Sequence, residues 1–144
     1  RSAVGASGLM QLMPATARWT AKKLGIEWRP ELITDRDVNL RLGMSYLKLL
    51  LDDFGGSAVL AAAGYNAGPG RPRRWREGGT FEPAAWIEAI PFAETRNYVK
   101  NVIANSLVYA SVLGGKELPA LEPRLGATIG PRDPKSPASD ANLP

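Results

Sequence analysis

A mainly α-helical fold, compact around one buried central helix, is predicted by three features of this sequence. Residues 58–64 are apolar on every side, which marks a helix enclosed by others. Two long segments, 35–54 and 93–113, repeat apolar residues at steps of three and four. No segment alternates convincingly as a strand, and 9–12 comes nearest.

The elements follow in order. Residues 1–11 are small and carry Gly5 and Gly8, the pattern of a tight loop. Pro14 suits the first turn of a helix, Ala17, Ala21 and Leu24 share one face, and Gly25 stops it. Residues 26–34 form a connector. Asp35 or Asp37 caps the next helix, whose stripe is Leu40, Gly43, Leu47, Leu50 or Leu51, and Phe54. Gly43 on that stripe permits close helix packing. Gly55 and Gly56 end the helix, and Ser57 caps the buried segment. Tyr65-Asn66-Ala67-Gly68-Pro69-Gly70 reads as a turn leaving it. A short basic segment, 71–76, precedes a loop at Gly78 and Gly79, and Pro83 opens a short helix stopped by Pro91. The last long helix faces inward with Val99, Val102 or Ile103, Ser106, Tyr109 and Leu113, and ends at Gly114-Gly115. Beyond residue 117 the pattern is lost. Half of the 12 prolines fall there, so 118–144 is expected to be a disordered or loosely attached tail.

Composition removes whole classes of chemistry. With no Cys and no His, the 144 residues exclude disulfides, thiol nucleophiles, Ser-His-Asp triads and His or Cys metal sites. No calcium-loop spacing is present, and no cofactor or metal is expected. The longest apolar run, 58–63, is too short to span a bilayer. The net charge of +4 is concentrated in Arg71, Arg73, Arg74 and Arg76, ordinarily a solvated face. No nucleic-acid motif accompanies the run, and no nucleic-acid partner is expected.

Three blocks carry unusual local chemistry. They are Ser2-Ala3-Val4-Gly5-Ala6-Ser7-Gly8-Leu9-Met10-Gln11-Leu12-Met13-Pro14, Ala63-Gly64-Tyr65-Asn66-Ala67-Gly68-Pro69-Gly70-Arg71, and Ile90-Pro91-Phe92-Ala93-Glu94-Thr95-Arg96-Asn97-Tyr98-Val99. Together and in this order they resemble the catalytic domain of soluble lytic murein transglycosylases, which have a goose-type-lysozyme-like fold. The resemblance runs from Ser2 to about Gly115, giving a domain over 1–117 and a tail over 118–144.

The resemblance implies a peptidoglycan glycan strand as substrate and, from that substrate alone, a periplasmic location. It implies cleavage between N-acetylmuramic acid and N-acetylglucosamine by one glutamic acid, without water, leaving a 1,6-anhydro end. Most glycosidases need two carboxylates, and substrate-assisted enzymes are the exception. The family's glutamate precedes the position matched by Ser2 by about nine residues, so the general acid is expected upstream of Arg1. No acid occurs here before Glu27. The polypeptide as it stands is therefore expected to be an inactive fragment. The other readings are a non-catalytic peptidoglycan-binding module and a hydrolytic goose-type lysozyme.

Carried over residue by residue, the resemblance makes Ser2, Met10 and Gln11 substrate contacts. The Gln11 amide suits a sugar N-acetyl group. Tyr65 becomes a supporting catalytic hydroxyl, against the plainer reading of a buried core tyrosine. Asn66 either contacts the site or holds its turn. Glu94 becomes a cleft carboxylate, although an acid in a first helical turn also serves the helix dipole. Arg96 and Tyr98 share its element, and Arg96 can equally pair internally. Trp19, Trp28, Trp75 and Trp86 are expected to pack.

Overall fold

The computed structural model describes residues 2–115, 117–137, 139–140 and 142–144. Among them are α1 (Pro14–Lys23), α2 (Arg36–Asp53), α3 (Ala58–Ala67), α4 (Gly70–Trp75), α5 (Pro83–Glu88), α6 (Ala93–Gly114) and α7 (Glu122–Leu125). Short 3-10 turns cover Pro30–Ile33 and Arg76–Gly78. The β-pairing among the described residues consists of isolated bridges, Ser7 with Leu12 and Phe81 with Ile129. The mainly helical expectation holds. No described helix is long and apolar enough to cross a membrane.

The chain divides into two compact units, Arg1–Leu49 with Asn142–Pro144 and Leu50–Ala141. In the first, α1 packs on the Pro30–Ile33 turn. Asp35 caps α2, its carboxylate accepting from the N–H groups of Asp37 and Val38 at 3.1 and 2.9 Å. The buried stripe of α2 is Asn39, Leu42, Gly43, Tyr46 and Leu50, not the one read through Leu40 and Leu47. Gly43 is small because the Met10 side chain lies against it, where a Cβ would collide with Met10. A loop side chain, not a helix, makes that close approach.

In the second unit α3 is the core, as expected from its all-apolar sequence. Val59, Leu60, Ala61, Ala62, Ala63 and Gly64 are buried, and α3 packs on α4, α6 and α7. A Cβ on Gly64 would lie 3.0 Å from Phe54 and 3.3 Å from Leu50, so only glycine fits comfortably there. The Ser57 hydroxyl caps α3 by accepting from Leu60 N–H at 3.3 Å. The helix runs one turn beyond the expected exit and leaves at Gly68, where φ is +80°.

Two expectations are corrected in this unit. The inward face of α6 ends with Thr95, Val99 and Ile103, while Tyr109 and Leu113 are 65% and 85% exposed. The proline-rich segment is also tied down. Phe81 and Ile129 exchange backbone hydrogen bonds at 2.8 and 2.9 Å, and Ile129 is buried. Arg76 Nε donates to Gly130 O at 2.6 Å. Arg73 donates to Asp140 O, and Asp140 N–H donates to Asp53, at 2.9 and 3.0 Å. Backbone groups hold this segment, which is why apolar periodicity did not reveal it. Burial lowers the pKa of Arg76.

Candidate functional site

The site residues read from the sequence fall into two groups. Ser2, Met10 and Gln11 lie in the first unit, and Tyr65, Asn66, Glu94, Arg96 and Tyr98 lie in the second.

The first group is built on a tight hairpin. Ser7 and Leu12 bond reciprocally through their backbones, both at 3.0 Å, and Gln11 N–H turns back to Gly8 O at 3.1 Å. Gln11 is exposed and adopts φ +47°, left-handed for a non-glycine residue. Such a conformation costs about 1–3 kcal/mol and persists only where its surroundings enforce it. One restraint is its own amide, whose Nε2 donates to Gly8 O at 2.9 Å. A second is Asn39, which sequence reasoning missed. Asn39 is fully buried. Its Oδ1 accepts from Met10 N–H at 2.8 Å, and its Nδ2 donates to Ser7 O at 3.1 Å and to Ile33 O at 2.8 Å. Gly8 has no side chain because a Cβ there would run into this amide. Ser2 is engaged locally: its hydroxyl accepts from Ala6 N–H at 3.0 Å.

The second group joins the last turn of α3 to the first turn of α6. The Thr95 hydroxyl, buried, donates to Asn66 Oδ1 at 2.7 Å. The Asn66 amide nitrogen then points to Glu94 Oε1, a long contact of 3.5 Å. Glu94 is exposed and Tyr65 is half-buried. Arg96 pairs internally, donating to Glu88 O at 3.0 Å. Burial raises the pKa of the Tyr98 phenol.

The arginine run is largely absorbed by the fold. Arg71 donates to Ala67 O at 2.6 Å and lies 4.9 Å from the Phe92 ring centre. Arg73 forms a salt bridge with the buried Asp53 at 2.9 Å. Trp86 is core, Trp75 meets Phe92 edge-on at 5.4 Å, and Lys23 lies 5.1 Å from the Trp19 ring centre. Trp28 lines a cavity of about 330 Å³ with Pro14, Ala15, Arg18, Pro30 and Ile33. No group of described carboxylates is arranged to hold a metal ion.

Residues 1–85 match the transglycosylase SLT domain, and residues 89–117 match the soluble lytic transglycosylase helical domain. Over 121 residues the chain is 46% identical to the soluble lytic murein transglycosylase of Salmonella typhimurium, covering 81% of this chain and 19% of that protein. The chain thus spans about a fifth of that relative's length. Among solved structures, an inactive glutamate-to-glutamine mutant of the lytic transglycosylase Slt of Pseudomonas aeruginosa is similar, with TM-score 0.76 and 47% identity. That match covers 82% of this chain and 20% of the other. The 70 kDa soluble lytic transglycosylase of Escherichia coli also gives TM-score 0.76, at 41% identity, covering 88% of this chain and 20% of its own. With more than half of its residues inside the domain match and its helices superposing on these enzymes, the chain belongs to the transglycosylase SLT domain family.

Proposed function

We propose that this chain is the glycan-holding part of a lytic transglycosylase that cleaves peptidoglycan between N-acetylmuramic acid and N-acetylglucosamine. The carrying observation is the 46% identity to a soluble lytic murein transglycosylase over 81% of this chain. The reaction needs one carboxyl group. It protonates the leaving glycosidic oxygen as the bond to the anomeric carbon breaks. The muramic 6-hydroxyl oxygen then closes on that carbon and returns its proton to the carboxylate. No water enters, and the product end is a 1,6-anhydro sugar.

Four carboxylates of this chain have other tasks. Asp35 and Glu82 cap helices, Asp53 pairs with Arg73, and Glu88 pairs with Lys100. Glu94 is exposed and accepts from Asn66, which fits a substrate-facing carboxylate. By the resemblance of the Ser2–Pro14 block, the general acid stands outside these 144 residues. A single Glu-to-Gln change defines the inactive Pseudomonas aeruginosa enzyme, which supports a one-glutamate site. Met10, Gln11, Tyr65, Asn66 and Glu94 hold sugar, and Tyr65 supports charge at the anomeric carbon. A periplasmic location follows from the substrate.

The test is a chimera in which the glutamate-bearing segment of the Pseudomonas aeruginosa enzyme is joined ahead of Ser2. Mass spectrometry of digested sacculi should show anhydro ends. Tyr65→Phe in that chimera should lower turnover about a hundredfold, the usual effect of losing one preorganised donor, while binding and melting temperature hold. Reducing ends would make the domain a hydrolase instead.

A further inference from the structure

We infer that Asn39 is the positioning residue of the Met10–Gln11 edge of the site, fixing by its side-chain amide the loop that presents these two residues. The inference rests on the proposed glycan-holding role of that loop. Asn39 belongs to α2, yet all its side-chain bonds go to backbone outside that helix. Its oxygen takes the Met10 N–H and its nitrogen reaches the Ser7 and Ile33 carbonyls, all between 2.8 and 3.1 Å. Met10 N–H belongs to the turn of the hairpin and Ser7 O to the arm that enters it, so a single amide holds both. Gln11, next to Met10, is the residue with the enforced left-handed backbone.

The chemistry singles out asparagine. The site needs one acceptor and two donor hydrogens on a short, planar group. Aspartate keeps the acceptor but turns the other oxygen toward two carbonyls. Leucine keeps the volume and satisfies none of the three. Gly8 completes the fit, because any Cβ at that position would displace the amide. Packing alone would not require this pattern of polar atoms at a fully buried position.

The experiment uses the 144-residue chain and a soluble uncrosslinked glycan strand of alternating N-acetylglucosamine and N-acetylmuramic acid. Binding by calorimetry is compared for wild type, Asn39→Asp and Leu42→Ala, together with melting temperature and the NMR signals of the Met10 and Gln11 amides. Leu42 is fully buried on the same helix and serves as the packing control. Asn39→Asp should shift both amide signals and weaken binding at least tenfold per folded molecule. Leu42→Ala should lower the melting temperature while leaving affinity and both signals near wild type. Unshifted signals in folded Asn39→Asp, or an equal affinity loss in folded Leu42→Ala, would overturn the inference. If Asn39→Asp does not fold, hydrogen exchange of the wild-type Met10 amide decides. Exchange only through global unfolding supports the clamp, and fast local exchange refutes it. A wild-type chain that ignores glycan would defeat the functional reading, while the amide signals would still judge Asn39.

Discussion

The Thr95 hydroxyl donates to Asn66 Oδ1 at 2.7 Å, and this bond determines which end of the Asn66 amide faces Glu94. A hydroxyl that gives its proton to the oxygen leaves the nitrogen pointing at the carboxylate. Thr95→Val keeps the shape and removes the donor. The expected loss is about 1–2 kcal/mol, since a half-buried acceptor goes unmatched. Urea unfolding measures it, and Thr95→Ser should recover most of it.

Arg73 and Asp53 give a larger effect. The Asp53 side chain is only 3% exposed, and both Arg73 Nε and Nη2 donate to its Oδ2 at 3.1 and 2.9 Å. Removing one partner of a buried pair leaves an uncompensated charge and typically costs about 3–5 kcal/mol. Arg73→Leu should destabilise by that order, and Arg74→Leu, at an exposed position, by far less. Comparable losses from the two would argue against the buried pair.

The burial of α3 was legible because residues 58–64 leave no polar face, whatever their rotation about the helix axis. The caps Asp35 and Ser57 were legible because their side chains act within three residues. The stripe of α2 was misplaced because its leucines occupy several registers. Leu40 and Leu47 fit a three-four pattern as well as Leu42 and Tyr46 do, and only the packed fold chooses. Asn39 was hidden because a polar residue in a helix ordinarily faces water, and its partners lie as far away as Ser7. Thr95 lay in plain view within the Glu94-Thr95-Arg96 string, but nothing local told its hydroxyl to reach Asn66.

The docked proline-rich segment gives a prediction opposite to the one its composition suggests. Ile129 is 3% exposed and pairs with Phe81. Ile129→Ala should cost about 2–5 kcal/mol by leaving a cavity. Deleting residues 126–144 should lower the melting temperature by roughly 10 °C or more, as Arg76 and Asp53 lose their partners there. An unchanged melting temperature would restore the loose tail.

Tyr98 sets an alkaline limit. Burial raises its pKa above the usual 10.0, so the folded state holds its proton longer than the unfolded chain does. The unfolded state then binds fewer protons above about pH 10, and stability falls as pH rises through that range. Tyr98→Phe should flatten this alkaline loss relative to wild type in urea titrations at increasing pH. Parallel curves for the two proteins would refute the assignment.

On the proposed function, these residues hold peptidoglycan glycan but do not by themselves cut it. Incubating the purified chain with sacculi, sedimenting them, and analysing the supernatant by mass spectrometry tests both halves at once. The chain is expected to pellet with the sacculi and to release no 1,6-anhydro muropeptides. Failure to pellet would contradict the glycan-holding role, and clear anhydro product would mean that the general acid lies among these 144 residues.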